Sequence, residues 1–359
     1  MLDGLTDGDL ADRLAARTLE LVDLPSESRD EARAAAHVLE VLRAGGVPAR
    51  DAGDTCVVAE LPGPAEGPLV VLAGHLDTVP AQGNRPGRRE HDAVHGLGAA
   101  DMKAALAVMV ELGLALRAPS CRVALCFFGR EELGIADSAL TPLLAREPVL
   151  RDADLAVVME PTANALHAGC LGNVNATWTF HGTAGHSARP WLADNAIHRA
   201  GAGIARLAHV EPEPVSFGGL TFTEVASVTR IAGGIADNVV PDTASCHVNY
   251  RYAPGRSAQA AEARLAELCA DGSASLEILS NAPSGAVAGG PLVDRLIAAG
   301  GLEVAPKQAW TPVAEFALAG VDAVNFGPGD PAFAHRRDEQ VAVEALLRNA
   351  RTLERFLCG

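Results

Sequence analysis

Seven side chains of this 359-residue sequence have the types needed to hold divalent metal ions and move a proton: His75, Asp77, Asp101, Glu131, Glu132, Glu160 and His335. His75 and Asp77 are two apart, so on extended backbone they share a side, where the carboxylate can orient the imidazole and fix its tautomer. Asp101 ends a Gly-Leu-Gly-Ala-Ala run and opens a helical stretch; alone it reads as an N-cap. The adjacent Glu131 and Glu132, and Glu160 beyond them, alone read as solvated strand-end charges. Together the set reads differently. Two histidines and three carboxylates suffice for two Zn²⁺ ions, with one carboxylate bridging and one acid left as a base. Carboxylates packed this closely would otherwise repel and take up protons, a cost that divalent cations relieve.

Such residues act together only if the chain delivers them to one place. Continuous apolar runs at 69–73, 122–128 and 155–159 predict strands buried on both faces, with a further strand at 321–326. Helices are expected over 9–22, 30–44 and 102–117. Strands alternating with helices predict an α/β domain with a mostly parallel sheet. In open α/β sheets ligands bind beyond the carboxyl ends of the strands, which is where these candidates fall. From residue 173 the pattern changes: strand 174–180, helix 190–207, strands 222–229 and 245–251, helix 257–269, strand 275–279. That β-α-β-β-α-β order is the ferredoxin-like split unit. Helices over 291–299 and 341–357 then resume the first style. The expected organisation is a catalytic domain in two parts, 1–172 and 283–359, interrupted by an inserted ferredoxin-like α+β domain at 173–282.

Composition bounds the partners. Hydrophobic residues make up 48% and charged residues 21%, the balance of a folded chain. A net charge of −16 opposes binding to nucleic acid or an anionic membrane. The N-terminus lacks a secretory pattern, and no stretch reaches the roughly 18–20 apolar residues of a membrane span. Seven scattered cysteines without a C-x-x-C pair read as reduced thiols in a cytoplasmic protein.

The sequence resembles the co-catalytic zinc aminoacylases and carboxypeptidases, a family that includes the succinyl-diaminopimelate desuccinylases, and its blocks look closest to the actinobacterial type. The resemblance covers essentially the whole chain. It rests on GHLDTVP at 74–80, GAADMK at 98–103, EE at 131–132, EPT at 160–162, GHSARPWLADNAIH at 185–198, NVVPD at 238–242, NYRYAP at 249–254 and FGPGDPAFAHRRDEQ at 326–340. It implies a zinc-peptidase-like catalytic domain carrying two Zn²⁺ per chain, with Co²⁺ or Mn²⁺ as substitutes. His75 and Glu160 would hold one ion, Glu132 and His335 the other, and Asp101 would bridge them. Asp77 would support His75, and Glu131 would be the general base toward a metal-bridging water. His186 would cross a homodimer interface built by 173–282 to stabilise the oxyanion in the partner's site. Arg189, Asn238, Arg251, Thr311 and Asn325 would contact a small N-acyl amino acid.

The implied reaction is removal of the succinyl group from N-succinyl-LL-2,6-diaminopimelate, a step toward lysine and peptidoglycan precursor. The alternative is a related zinc N-acyl-amino-acid deacylase, dipeptidase or carboxypeptidase. That alternative arises because Pro312 and Glu315 stand where the family has an aspartate and an arginine. A catalytically silent metal-binding relative is disfavoured by the presence of the base and all five ligands. A two-metal phosphatase is disfavoured by the full motif set.

Overall fold

The uninterrupted apolar run Leu69–His75 is a strand buried along its whole length. Arg122–Phe128 and Leu155–Val158 pair parallel on its two sides, and Ala323–Asn325 pairs parallel beyond Leu155–Val158. These four form the centre of an eight-stranded sheet. Antiparallel strands extend it: Cys56–Glu60 and Ala49–Gly53 at one side, Leu166–Ala168 at the other, with Val304–Pro306 at that edge. The computed structural model describes Leu2, residues 4–90 and residues 92–359. Its contacts divide the chain into two units: the chain up to Gly169 with Val287–Ala305 and Thr311–Gly359, and Cys170–Ala286 with Pro306–Trp310. The second grouping is a few residues wider than 173–282 and takes in Pro306–Trp310 besides.

In the first unit, helix Ala104–Ala115 is apolar nearly all round and buried at every residue but Leu114, as an all-hydrophobic helix must be. Its one charge, Glu111, accepts hydrogen bonds from Arg13 Nε at 2.8 Å and Arg17 Nε at 3.1 Å, both on helix Asp7–Asp23. The helix expected from residue 102 starts instead at Ala104, because Asp101 (φ −127°, ψ 93°) and Met102 leave helical geometry. A small sheet of Arg88–Glu90, Ala93–His95 and Gln340–Ala342 sets Gln340 opposite His95. This pairing brings the end of the His335 loop beside residues 96–101. Among the described residues no helix is long and apolar enough to cross a membrane.

The second unit is a five-stranded antiparallel sheet in the order Glu213–Phe217, Leu220–Gly233, Thr243–Tyr252, Gly172–His181, Ala274–Ala282. Alternation along Gly172–His181 buries Val174, Ala176, Trp178 and Phe180. They share one core with Ala200 and Leu207 of helix Ala196–Ala208, and Ala261 and Leu265 of helix Ala258–Leu268. Without Glu213–Phe217, which hairpins onto one end of the long second strand, this is the ferredoxin-like arrangement. The helix foreseen from residue 190 begins at Ala196, where the Asn195 side chain accepts from the Ile197 and His198 N–H groups and caps it.

Candidate metal centre

Three strand ends and two loops of the first unit converge. His75 closes strand Leu69–His75, Glu131 and Glu132 follow Arg122–Phe128, and Glu160 follows Leu155–Val158. Asp101 sits in the break before helix Ala104–Ala115, and His335 in the loop after Ala323–Asn325, its φ of 61° aiming the ring from a left-handed backbone. The ligand atoms of His75, Asp101 and Glu160 lie within 4.8 Å of one another, as do those of Asp101, Glu132 and His335. The two triads share Asp101. Its Oδ1 is 3.2 Å from His75 Nε2 and its Oδ2 3.5 Å from His335 Nε2, the disposition of a carboxylate that can serve two ions. His335 Nε2 is 3.0 Å from Glu132 Oε1, and His75 Nε2 is 3.7 Å from Glu160 Oε1. Glu131 joins His75 and Glu132 in a third group of the same size. Imidazole and carboxylate donors in two triads with one common member fit a pair of divalent cations.

Asp77, fully buried, ties this geometry together. Its Oδ1 accepts the Glu131 N–H at 3.0 Å, and its Oδ2 accepts the Glu132 N–H at 3.1 Å and the Ser28 hydroxyl at 2.8 Å. The Asp77 main-chain oxygen lies 3.0 Å from His75 Nδ1, leaving Nε2 toward the centre. Sequence reasoning assigned Asp77 to His75 alone and missed its hold on the two glutamates. It also missed Glu339, whose buried carboxylate accepts the N–H groups of Gly98 at 2.9 Å, Ala100 at 2.9 Å and Asp101 at 3.0 Å. Two glycines permit the close packing. A Cβ at Gly327 would lie 2.3 Å from the Met159 carbonyl oxygen, and one at Gly329 2.1 Å from that of Ala100.

The electrostatics are those of crowded acids. Burial, then the Glu160 carboxylate, push the Glu131 carboxyl well above its ordinary range, with Glu132 and Asp101 adding to the push and His75 opposing it. Burial would lower the His75 imidazole, but Asp101 and Asp77 outweigh it and raise it well above its usual value. The hydrogen bond to Glu132 lifts His335 to about 9. Burial brings the Glu339 carboxyl up to about 7 against the three N–H groups that pull it down. A divalent cation would displace the imidazolium protons and favour ionised carboxylates.

Of the remaining candidates, Thr311 and Asn325 belong to the first unit and are buried. Asn325 Nδ2 donates to the carbonyls of His167 at 3.2 Å and Gly169 at 3.3 Å. His186, Arg189, Asn238 and Arg251 belong to the second unit. His186, Arg189 and Asn238 are exposed, and His186 pairs with Val239 in a short ladder. Arg251 is half-buried and donates from Nε to Asn249 Oδ1 at 2.9 Å, and Asn249 Nδ2 in turn donates to Asn173 and Asn175. Glu315 turns inward: it is buried on helix Val313–Leu318 and accepts the Thr141 hydroxyl at 2.6 Å.

The chain is similar to a Mycobacterium tuberculosis protein named as a succinyl-diaminopimelate desuccinylase, 42% identical over 347 residues that span 95% of this chain and 97% of that protein. It is 36% identical over 352 residues to the succinyl-diaminopimelate desuccinylase of Corynebacterium glutamicum, spanning 95% of each. Its fold matches a tripeptidase of Staphylococcus aureus at a TM-score of 0.78 and 19% identity, over 97% of both chains. Residues 71–358 match the model of peptidase family M20/M25/M40, and with relatives this similar over almost its full length the chain belongs to that family.

Proposed function

We propose that the protein is a metal-dependent amidohydrolase that removes the succinyl group from N-succinyl-LL-2,6-diaminopimelate, releasing succinate and LL-diaminopimelate. The observation that carries the chemistry is the pair of ligand triads sharing Asp101. The substrate assignment is supported by the two desuccinylase-named relatives that span nearly the whole chain. His75 and Glu160 would hold one ion and Glu132 and His335 the other, with Asp101 available to both. Two Zn²⁺ per chain suit this donor set, with Co²⁺ or Mn²⁺ as competitors. When bound, such ions lower the pKa of a water and polarise the amide carbonyl. Glu131, free of ligand duty, takes the proton of the attacking water and delivers it to the leaving amine, work worth roughly 10²–10⁴-fold. Asp77 fixes the main chain of Glu131 and Glu132, so base and ligand keep their places while the proton moves.

The second unit supplies the oxyanion donor and substrate contacts in this reading. His186 acts on the site of a second copy, and Arg189, Asn238 and Arg251 receive the carboxylates of the substrate. The buried Asn325 instead donates its amide N–H groups to the His167 and Gly169 carbonyls, and Thr311 is buried as well. A homodimer through this unit is supported by the exposure of Trp191 (75%), Leu192 (69%), Ile231 (57%) and Ile235 (89%), large apolar side chains of a kind that association covers. Among the described residues no strand pairs with the outer edge of Leu220–Gly233 past Glu224, where Glu213–Phe217 stops pairing. The absence of any disulfide among the described residues suits the cytoplasm.

A related deacylase or dipeptidase is the second reading, motivated by Pro312 and Glu315. Against it, Glu315 is engaged by Thr141 inside the first unit, so the altered charge has a structural partner. Turnover of N-succinyl-LL-diaminopimelate, N-acetylornithine and simple dipeptides by the metal-loaded protein decides the matter. Succinate release at least a hundredfold faster than the other reactions is expected; absence of desuccinylation with two ions bound refutes the substrate.

A further inference from the structure

Glu339 is a buried acid beside the metal centre that the reaction leaves unused. It is 2% exposed. Among the described residues no Lys, Arg or His pairs with it; its carboxylate is satisfied by main-chain N–H groups alone, those of Gly98 on Oε2 and of Ala100 and Asp101 on Oε1. Its own carbonyl oxygen accepts the Gly96 N–H at 3.0 Å. One residue, four positions after His335, therefore holds four groups of the turn that carries Asp101. Taking a carboxylate out of water is costly unless hydrogen bonds replace the lost hydration, and here every replacement comes from that turn. Successive N–H groups converging on one anion form a rigid nest. Bonded to Glu339, the N–H of Asp101 is unavailable to a helix, and the turn stays open.

We propose that Glu339 is a positioning residue for the metal centre: by clamping the main chain of 98–101 it sets the shared carboxylate of Asp101 against His335. This rests on the two-metal reading above. Partners of metal ligands typically change affinity about 10–100-fold when altered, and Glu339 holds the one ligand common to both triads. Glu339→Gln keeps the shape but turns an amide N–H₂ toward a main-chain N–H, so at least one of the three bonds is lost.

The test is a titration of chelator-treated protein with Co²⁺, followed by visible absorption and by metal content per chain. Wild type should take up two ions. Glu339→Gln should retain the wild-type far-ultraviolet circular dichroism yet bind at least one ion about 10–100-fold more weakly, with an altered visible spectrum at concentrations that saturate wild type. Two ions bound with wild-type affinity and spectrum would overturn the proposal. Hydrogen exchange on unmodified protein tests it without a variant: the amides of Gly98, Ala100 and Asp101 should be protected with and without metal, and rapid exchange overturns the clamp. Wild type binding fewer than two ions would instead refute the metal reading, and Glu339's part with it.

Discussion

Replacing Glu131 with glutamine should damage catalysis and yet stabilise the metal-free protein. The donor atoms of His75, Glu131 and Glu132 lie within 4.8 Å of one another. Two ionised carboxylates at that spacing repel by about 3.5 kcal/mol at an effective dielectric constant near 20, and by about 1 kcal/mol in bulk water. Burial, then Glu160, and after them Glu132 and Asp101, hold the Glu131 carboxyl well above its ordinary range. A carboxyl whose folded pKa exceeds its unfolded value costs nothing below the unfolded value of about 4.3. Its cost grows as pH rises from there and levels off once the folded value is passed. Chelator-treated Glu131→Gln should therefore match wild type near pH 4 and exceed it by about 1–3 kcal/mol at pH 8. In calorimetry that is about 1–2 °C of melting temperature per kcal/mol for a chain of this length. With metal restored the advantage should vanish, because the cations neutralise the repulsion. Turnover should then fall about 10²–10⁴-fold, equivalent to about 3–5 kcal/mol of barrier. A metal-free variant less stable than wild type at pH 8, or a kcat within tenfold of wild type, would refute the placement of Glu131 among ionised acids and its role as base.

Other expectations follow from single contacts. Gly329→Ala would set a Cβ 2.1 Å from the Ala100 carbonyl oxygen, so melting should show a loss of about 1–3 kcal/mol, with metal content reduced alongside; a variant that melts like wild type contradicts the close approach. In the second unit Glu224 accepts from Arg256 Nε at 2.9 Å and Nη2 at 2.8 Å, from the Tyr250 hydroxyl at 2.6 Å and from the Ala253 N–H at 2.9 Å. Burial alone would raise its carboxyl, but these donors hold it below its ordinary value. Its stabilisation is thus present above the unfolded value of about 4.3 and lost as pH falls through the lower folded one. Glu224→Gln should cost about 1.5–3 kcal/mol at pH 7 and progressively less below pH 4; a pH-independent deficit in thermal melts would contradict the sign. If His186 serves the partner's site, His186→Ala and Glu131→Gln should each be nearly inactive. Co-refolded in equal amounts they should recover about a quarter of wild-type activity, because about half the dimers then hold one complete site; no recovery excludes the crossing.

The parts of this molecule that could be read from residue types are those where side chains do the work. Strands covered on both faces, such as Leu69–His75, leave continuous apolar runs, and acids placed just past such runs point to the sheet's ligand-binding edge. Short edge strands such as Ala49–Gly53 and Val304–Pro306 are held by pairing rather than periodicity, and leave no comparable trace. Glu339 was equally hidden: it is one charge in a run of several, and its partners are main-chain N–H groups more than two hundred residues away, which have no residue signature. Asp101 shows why the failure of a local rule is informative here. The alanine-rich stretch around it favours helix by composition, and as an N-cap its side-chain oxygen would have been occupied by the helix's own N–H groups. It could not then have offered one oxygen to His75 and the other to His335. The helix starts at Ala104, two residues later than expected, and the shared Asp101 carboxylate sits in the break before it. Departure from local propensity is expected at sites that bind or react. The break at Asp101 therefore marks a functional site independently of the residues' identities.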